Sequence, residues 1–292
     1  MDRSERQGDT VNFEPGSILK ETAEKFQALI GPDFDTLTLE RTVFGLFFTG
    51  VKLSDGQGGI SFTPVKAIPE AVCCPTSARA MPLSGRLKGM SVTKVLQEMW
   101  EADSPLKKAL GIATLNALSA ICEKGLEGKG YRLEIGNDAL DSIEIADDDK
   151  VVVVGALVPM LKKLKIRGKP FTVLELDPRT LKKDEMPFFA PSEEAPLHVP
   201  GADLLVMTGT TLVNDTLEGL LSLAKPGARV VVVGPTASQY PEEFFRRGVT
   251  CLGGIKVTKA DELLDILSEG GSGYHFFGRY AERTTLTKPS PR

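Results

Sequence analysis

Hydrophobic and polar positions change their spacing near residue 150. Before that point the spacing is mixed. Residues 17–29 (SILKETAEKFQAL) place Ile18, Leu19, Ala23, Phe26 and Leu29 at helical intervals, and Gly31-Pro32 stops the run. Residues 37–51 and 59–65 are β-rich and flank Ser54-Asp55-Gly56-Gln57-Gly58, which predicts a hairpin. Two helical stretches follow at 92–101 and 105–124. Pro105 fits the first helical turn of the second, and Asp103 or Ser104 can cap it.

After the acidic run Asp147-Asp148-Asp149, short Val/Ile/Leu runs alternate with helical ones. Strands are predicted at 151–154, 172–176, 204–207, 229–233 and 251–252, with helices at 158–165, 215–224, 242–247 and 261–268. Strands that are apolar throughout, alternating with helices, predict a parallel sheet covered on both faces. The fold class is α/β: a Rossmann-like parallel sheet over 147–292 beside an α+β unit over 1–146. The length of 292 residues agrees with two units, at about 150 residues each.

Composition removes several function classes. Hydrophobic residues at 41% and charged residues at 25% exclude a disordered or fibrous chain. Thirty-five Lys and Arg against thirty-nine Asp and Glu give a net charge of −4, so no basic excess draws in nucleic acid or an anionic membrane. No apolar run approaches the roughly 20 residues that span a bilayer, and the polar start lacks a signal-peptide core. A cytoplasmic location is expected. The four cysteines (Cys73, Cys74, Cys122, Cys251) and two histidines (His198, His275) form no zinc-type spacing. Two isolated histidines are a poor supply of general bases, which makes a hydrolase the weakest enzyme reading.

Candidate chemistry gathers at the strand ends. Ligands of an open parallel sheet bind beyond the carboxyl ends of its strands. There the chain carries Gly155, Glu175 and Asp177, Thr208-Gly209-Thr210-Thr211, and Gly234-Pro235. Glycine lets a ligand approach the backbone, and threonine hydroxyls beside helix N-termini suit an anion; the same residue types also serve as plain caps and turns. The first turn, Gly155-Ala156-Leu157-Val158-Pro159, is not G-x-G-x-x-G, which argues against NAD. Glu175, twenty residues beyond Gly155, stands where an acidic residue takes a ribose hydroxyl, and would equally suit the adenosine of S-adenosylmethionine or cap its own turn. Thr208, Thr210, Thr211 and Asn214 are expected to cradle an anionic or polar ligand at the start of the 215–224 helix, where Gly209 permits close approach; the rival reading is plain capping by Asn214. The loop at 69–90, with Arg79, Arg86 and Lys88, is either a functional loop or a disordered one.

Both halves resemble one family in the stretches GLFFTGVKLSDGQGG, GIATLNAL, VVVVGALVP, VLELDP, TGTTLVNDTLEGLL, VVVVGPTAS and RRGVTCLGG. It is the heavy-metal chelation domain family, long catalogued as a domain of unknown function, with its N-terminal companion domain. The resemblance implies an enolase-N-terminal-like first domain, a Rossmann-like second domain and a ligand site in the cleft between them. It implies metal handling associated with anaerobic microbes, and no defined reaction. Its polar motif positions fall here on Asn116, Glu175, Asp177-Pro178, Thr208 to Thr211, Asn214 and Gly234-Pro235; Gly155 and Pro159 of the first turn are further candidate ligand contacts. Asn116, inside an apolar helix, either bonds a backbone group or faces the cleft. Scarce His and Cys favour oxygen ligands from Glu175 and Asp177, or an already chelated metal, over a bare soft ion.

Three functions follow: metal or metal-chelate handling in the cleft, a S-adenosylmethionine- or nucleotide-using enzyme, and a binding module without chemistry. The expected cofactor is a metal ion or metal chelate. The expected partners are a small-molecule or metal ligand and a second copy of the chain in a homodimer, with no nucleic acid and no membrane.

Overall fold

Tetravaline β5 (Val151–Val154) and valine-rich β9 (Arg229–Val233) form the middle of an eight-stranded sheet. Its order is β4-β11-β10-β9-β8-β5-β6-β7, completed by β6 (Phe171–Glu175), β7 (Phe189–Pro191), β8 (Leu204–Thr208), β10 (Cys251–Val257), β11 (Ala281–Thr287) and β4 (Arg132–Ile135). Strands β5 to β10 run parallel, β11 is antiparallel to β10, and β4 is antiparallel to β11. The sheet is therefore mixed. From β5 the chain winds outward through β6 and β7, then returns to β8 on the other side of β5 and winds through β9 and β10. The winding reverses between β5 and β8. This computed structural model describes residues 13–67, 83–101, 104–126 and 129–288.

Ahead of the large sheet stand α1 (Ser17–Ile30), an antiparallel meander of β1 (Leu39–Phe44), β2 (Phe48–Leu53) and β3 (Gly58–Phe62), and the helices α2 (Val92–Glu101) and α3 (Pro105–Ile121). Ser104 caps α3 by accepting from the Lys107 N–H, with Pro105 next to it, as the sequence predicts. Eleven of its seventeen residues are buried, because α3 lies between the meander and the rest of the molecule.

The period-two alternation of the central strands divides the core. Val152, Leu205, Met207, Val230 and Val232 face a large cluster that also holds α1, α2, α3, α7 (Leu217–Leu223) and α8 (Glu242–Arg246). Val151, Val153, Leu204, Val206, Val231 and Val233 face α4 (Ala139–Ser142) and α5 (Val158–Arg167). A third cluster joins the meander to α9 (Ala260–Ser268) and α10 (Gly273–Phe276).

Four features depart from the sequence expectation. The run 37–51 contains two strands. The helix expected from 215 begins at Leu217, because Asp215 takes a left-handed φ of 57°. Strand β11 falls where no element was expected, and it turns the expected parallel sheet into a mixed one. Strand β4 lies before residue 147 yet bonds to β11, so sheet membership changes between α3 and β4 rather than at 147. The loop at 69–90 falls largely outside the described residues, as do Cys73 and Cys74.

Candidate functional site

At the carboxyl ends of β5, β6 and β8, beside the reversal in winding, lies a cavity of about 380 Å³. Its apolar wall includes Val154, Ala156, Leu157, Leu174 and Leu220, and its polar groups include Glu175, Glu193, Thr208, Thr210 and Asn214. Gly155 ends β5 with φ 91°, a backbone state that strains other residues. A Cβ there would stand 2.7 Å from Thr208 Cγ2, so glycine is what lets the β5 and β8 turns approach this closely.

Glu175 ties two of the turns together. Its Oε2 accepts from the Ala156 N–H at 2.8 Å, and its Oε1 accepts from the N–H groups of Leu176 (2.9 Å) and Asp177 (3.1 Å). A carboxylate offers about four acceptor positions, so these bonds fix its orientation and leave capacity for a ligand donor. Asp177 is absent from the cavity lining. Its carboxylate takes a fork from Arg179 (Nε 2.8 Å, Nη2 3.0 Å), pairs with Lys66 and caps the turn at Pro178–Thr180. The Arg179 guanidinium, with Lys66, holds that carboxyl well below the usual range. Of the two expected oxygen ligands, Glu175 lines the cavity, whereas Asp177 lies outside the lining and pairs with Lys66 and Arg179.

The threonine turn is a short 3-10 segment, Gly209–Leu212, capped by Thr208. Thr208 Oγ1 accepts from the Thr210 N–H at 3.4 Å, and Thr210 Oγ1 lies 3.3 Å from it. Thr211 is 2% exposed, and its hydroxyl donates to the Thr208 carbonyl at 2.7 Å. Asn214 does not cap α7; its Oδ1 accepts from Thr216 Oγ1 at 2.7 Å. Thr208, Thr210, Thr211 and Asn214 all line the cavity, with the Thr211 hydroxyl spent on the turn.

The remaining expected residues lie elsewhere. Pro159, Gly234 and Pro235 border a second cavity beyond Leu157, at the end of β9 and beside the middle of β10. Asn116 borders a small cavity of about 60 Å³ on the seam between α3, β3 and the large sheet. There its Nδ2 donates to the carbonyls of Ile60 (2.7 Å), Pro235 (3.2 Å) and Thr236 (3.2 Å), and its Oδ1 accepts from Gln239 (2.6 Å). Asn116 is thus a buried latch between the two sheets. The described lining of the 380 Å³ cavity comes wholly from residues 154–220, not from both sides of a cleft as the resemblance implies.

Sequence reasoning missed Ser192 and Glu193, which reach the cavity from the end of β7, a three-residue edge strand too short to leave a periodic signal. The histidines serve local structure: His198 lies 3.4 Å from Glu194 one turn earlier, and His275 Nδ1 accepts from the Ser272 N–H. Burial pushes the Cys122 thiol up to about 11 and that of Cys251 up to about 12, so both are protonated at neutral pH. Among the described residues no three His, Cys, Asp or Glu side chains gather into a metal-holding group. The described residues therefore do not gather the ligands that a bare soft metal ion needs. Among the described residues no helix is long and apolar enough to cross a membrane.

Fold and cavity define a mixed α/β protein with an open crevice where the strand winding reverses. The chain belongs to a family whose models match residues 28–119 and 138–286, both described as "putative heavy-metal chelation". It is 30% identical over 200 residues to an uncharacterized protein of Methanocaldococcus jannaschii, covering 66% of this chain and 73% of that protein. A crystal structure of a protein of unknown function of this family from Pyrococcus horikoshii shares the fold at TM-score 0.71 and 20% identity, covering 92% of this chain and 98% of that one. A second, from Desulfitobacterium hafniense, gives TM-score 0.64 and 18% identity, covering 92% and 99%.

Proposed function

We propose that the protein binds an organic small molecule at the ends of β5, β6 and β8, and meets its metal as a chelate carried by that molecule. The observation that carries this reading is the cavity itself. It has mostly carbon walls, two acidic residues, of which Glu175 is locked by three backbone N–H groups, and threonine and asparagine residues on the facing turn. Such a surface matches an organic ligand with a few polar groups. A bare ion would need several converging ligand atoms, which the described side chains do not gather.

The accompanying architecture is a Rossmann-like unit with an enolase-N-terminal-like companion, divided between α3 and β4. The order β7-β6-β5-β8-β9-β10 supports the first, since it is the doubly wound order of dinucleotide folds. The meander followed by a helix pair supports the second. A nucleoside ligand is the second reading, favoured by Glu175 at the end of the second parallel strand, beside the Gly155 turn.

Titration calorimetry with nickel(II) chloride, nickel(II) citrate and S-adenosylmethionine separates the readings. The proposal expects saturable binding of the citrate chelate, weakened about tenfold or more by Glu175→Gln, whose amide cannot accept as a carboxylate does. Saturable S-adenosylmethionine binding with the same dependence selects the second reading. Tight binding of the nickel ion alone, unchanged in the variant, contradicts both.

A further inference from the structure

The second cavity, about 190 Å³, lies at the end of β9 beside the middle of β10 and is bordered by Arg283 of β11. Two neighbours contact that side chain, which is 44% exposed. Its Nε lies 3.0 Å from Asp138 Oδ2, and its guanidinium carbon stands 4.2 Å from the centre of the Phe277 ring. Asp138 Oδ1 accepts from the Leu140 N–H at 3.0 Å, which orients the carboxylate beside Arg283. An arginine carries five N–H donors in a planar fork. Asp138 engages the Nε position, and no acceptor among the described residues meets the two terminal nitrogens. Opposite stands Gly234 at φ 113° and ψ 164°, a backbone state essentially confined to glycine, followed by Pro235, which has no N–H to offer. An arginine paired along one edge, stacked on one face and bordering a cavity is partly organised before a ligand arrives.

We propose that this cavity is a second ligand site that takes a small oxyanion, a carboxylate or phosphate, gripped by the two terminal nitrogens of Arg283. The assignment uses none of the polar groups of the 380 Å³ cavity, and it stands or falls separately from the reading given for that cavity. Arginine suits this role because its parallel N–H bonds match a carboxylate or phosphate edge, which a lysine ammonium cannot do.

The test is titration calorimetry of the whole chain with sodium succinate, sodium phosphate and neutral succinamide at constant ionic strength. Saturable binding of succinate or phosphate is expected, with none of succinamide. Binding of succinate alone assigns the site to carboxylates, and binding of phosphate alone assigns it to phosphates. Arg283→Met should weaken the anion that binds about tenfold or more, and Arg283→Lys, which keeps the charge but loses the fork, should weaken it severalfold. Circular dichroism and melting temperature check that each variant is folded, and the lysine variant carries the test if the methionine variant is not. Saturation by neither anion, or wild-type affinity in a folded Arg283 variant, overturns the proposal and leaves Arg283–Asp138 as a surface ion pair.

Discussion

Asn116 shows what a single residue's neighbours decide and its sequence does not. An amide among Ile112, Leu115, Leu118 and Ile121 permits two roles, because the helical pattern places it without naming its partners. The partners arrive from 56, 119, 120 and 123 residues away, and they use both ends of the amide. Replacement by alanine would leave three carbonyls and the Gln239 amide without that partner. Each uncompensated buried group costs on the order of 1–3 kcal/mol. Asn116→Ala should therefore lower stability by about 2–4 kcal/mol in urea unfolding, with little change in ligand affinity at the 380 Å³ cavity. A large loss of binding with unchanged stability would make it a ligand contact instead. Glu175 was legible from its strand-end position. Asp177 was legible as a polar strand-end residue, but its engagement by Lys66 and Arg179 was not, since Lys66 pairs with it across 111 residues of sequence.

Among the elements, the apolar strands were readable because burial on both faces demands continuous valine and leucine; β5 and β9 fall on their expected ranges. Strand β11 (AERTTLT) was not, because its polar residues leave no such run and its place is set by pairing with β10 and β4. Helix α7 was misplaced for a local reason. Asp215 turns left-handed and pairs with Lys108 of α3, which delays the helix by two residues. The Gly155 turn brings β5 against β8, and its conformation makes a prediction. Gly155→Ala should cost about 1–3 kcal/mol, from strain at positive φ together with the clash at Thr208. It should also weaken ligand binding in calorimetry, as the β5 turn moves away from Thr208. Unchanged stability and affinity would show that these two turns do not depend on glycine to meet.

Over the whole molecule, one hydrophobic cluster runs from α1, α2 and α3 across a face of the large sheet to α7 and α8. The α1 backbone at Ile18 donates to the buried Glu218 of α7, and Arg41 and Lys52 of the meander pair with Asp261 of α9. The change in patterning near residue 150 marks the start of the parallel strands at β5, after the meander and the helix pair. It cannot reveal how closely they interlock, because those contacts join residues some 200 positions apart. The expected site residues are likewise distributed by the fold: Gly155, Glu175, Thr208, Thr210 and Asn214 share one cavity, Pro159, Gly234 and Pro235 border another, and Asn116 lies on the seam. The central claim is that the largely apolar cavity at the winding reversal holds an organic ligand. Native mass spectrometry with elemental analysis, on chain purified without chelators, tests it most directly. The account predicts one organic adduct per chain, with or without a metal, that is lost from a folded Thr210→Phe variant whose added ring fills the cavity. A bare metal ion bound stoichiometrically in both proteins, with no organic adduct in either, would contradict it.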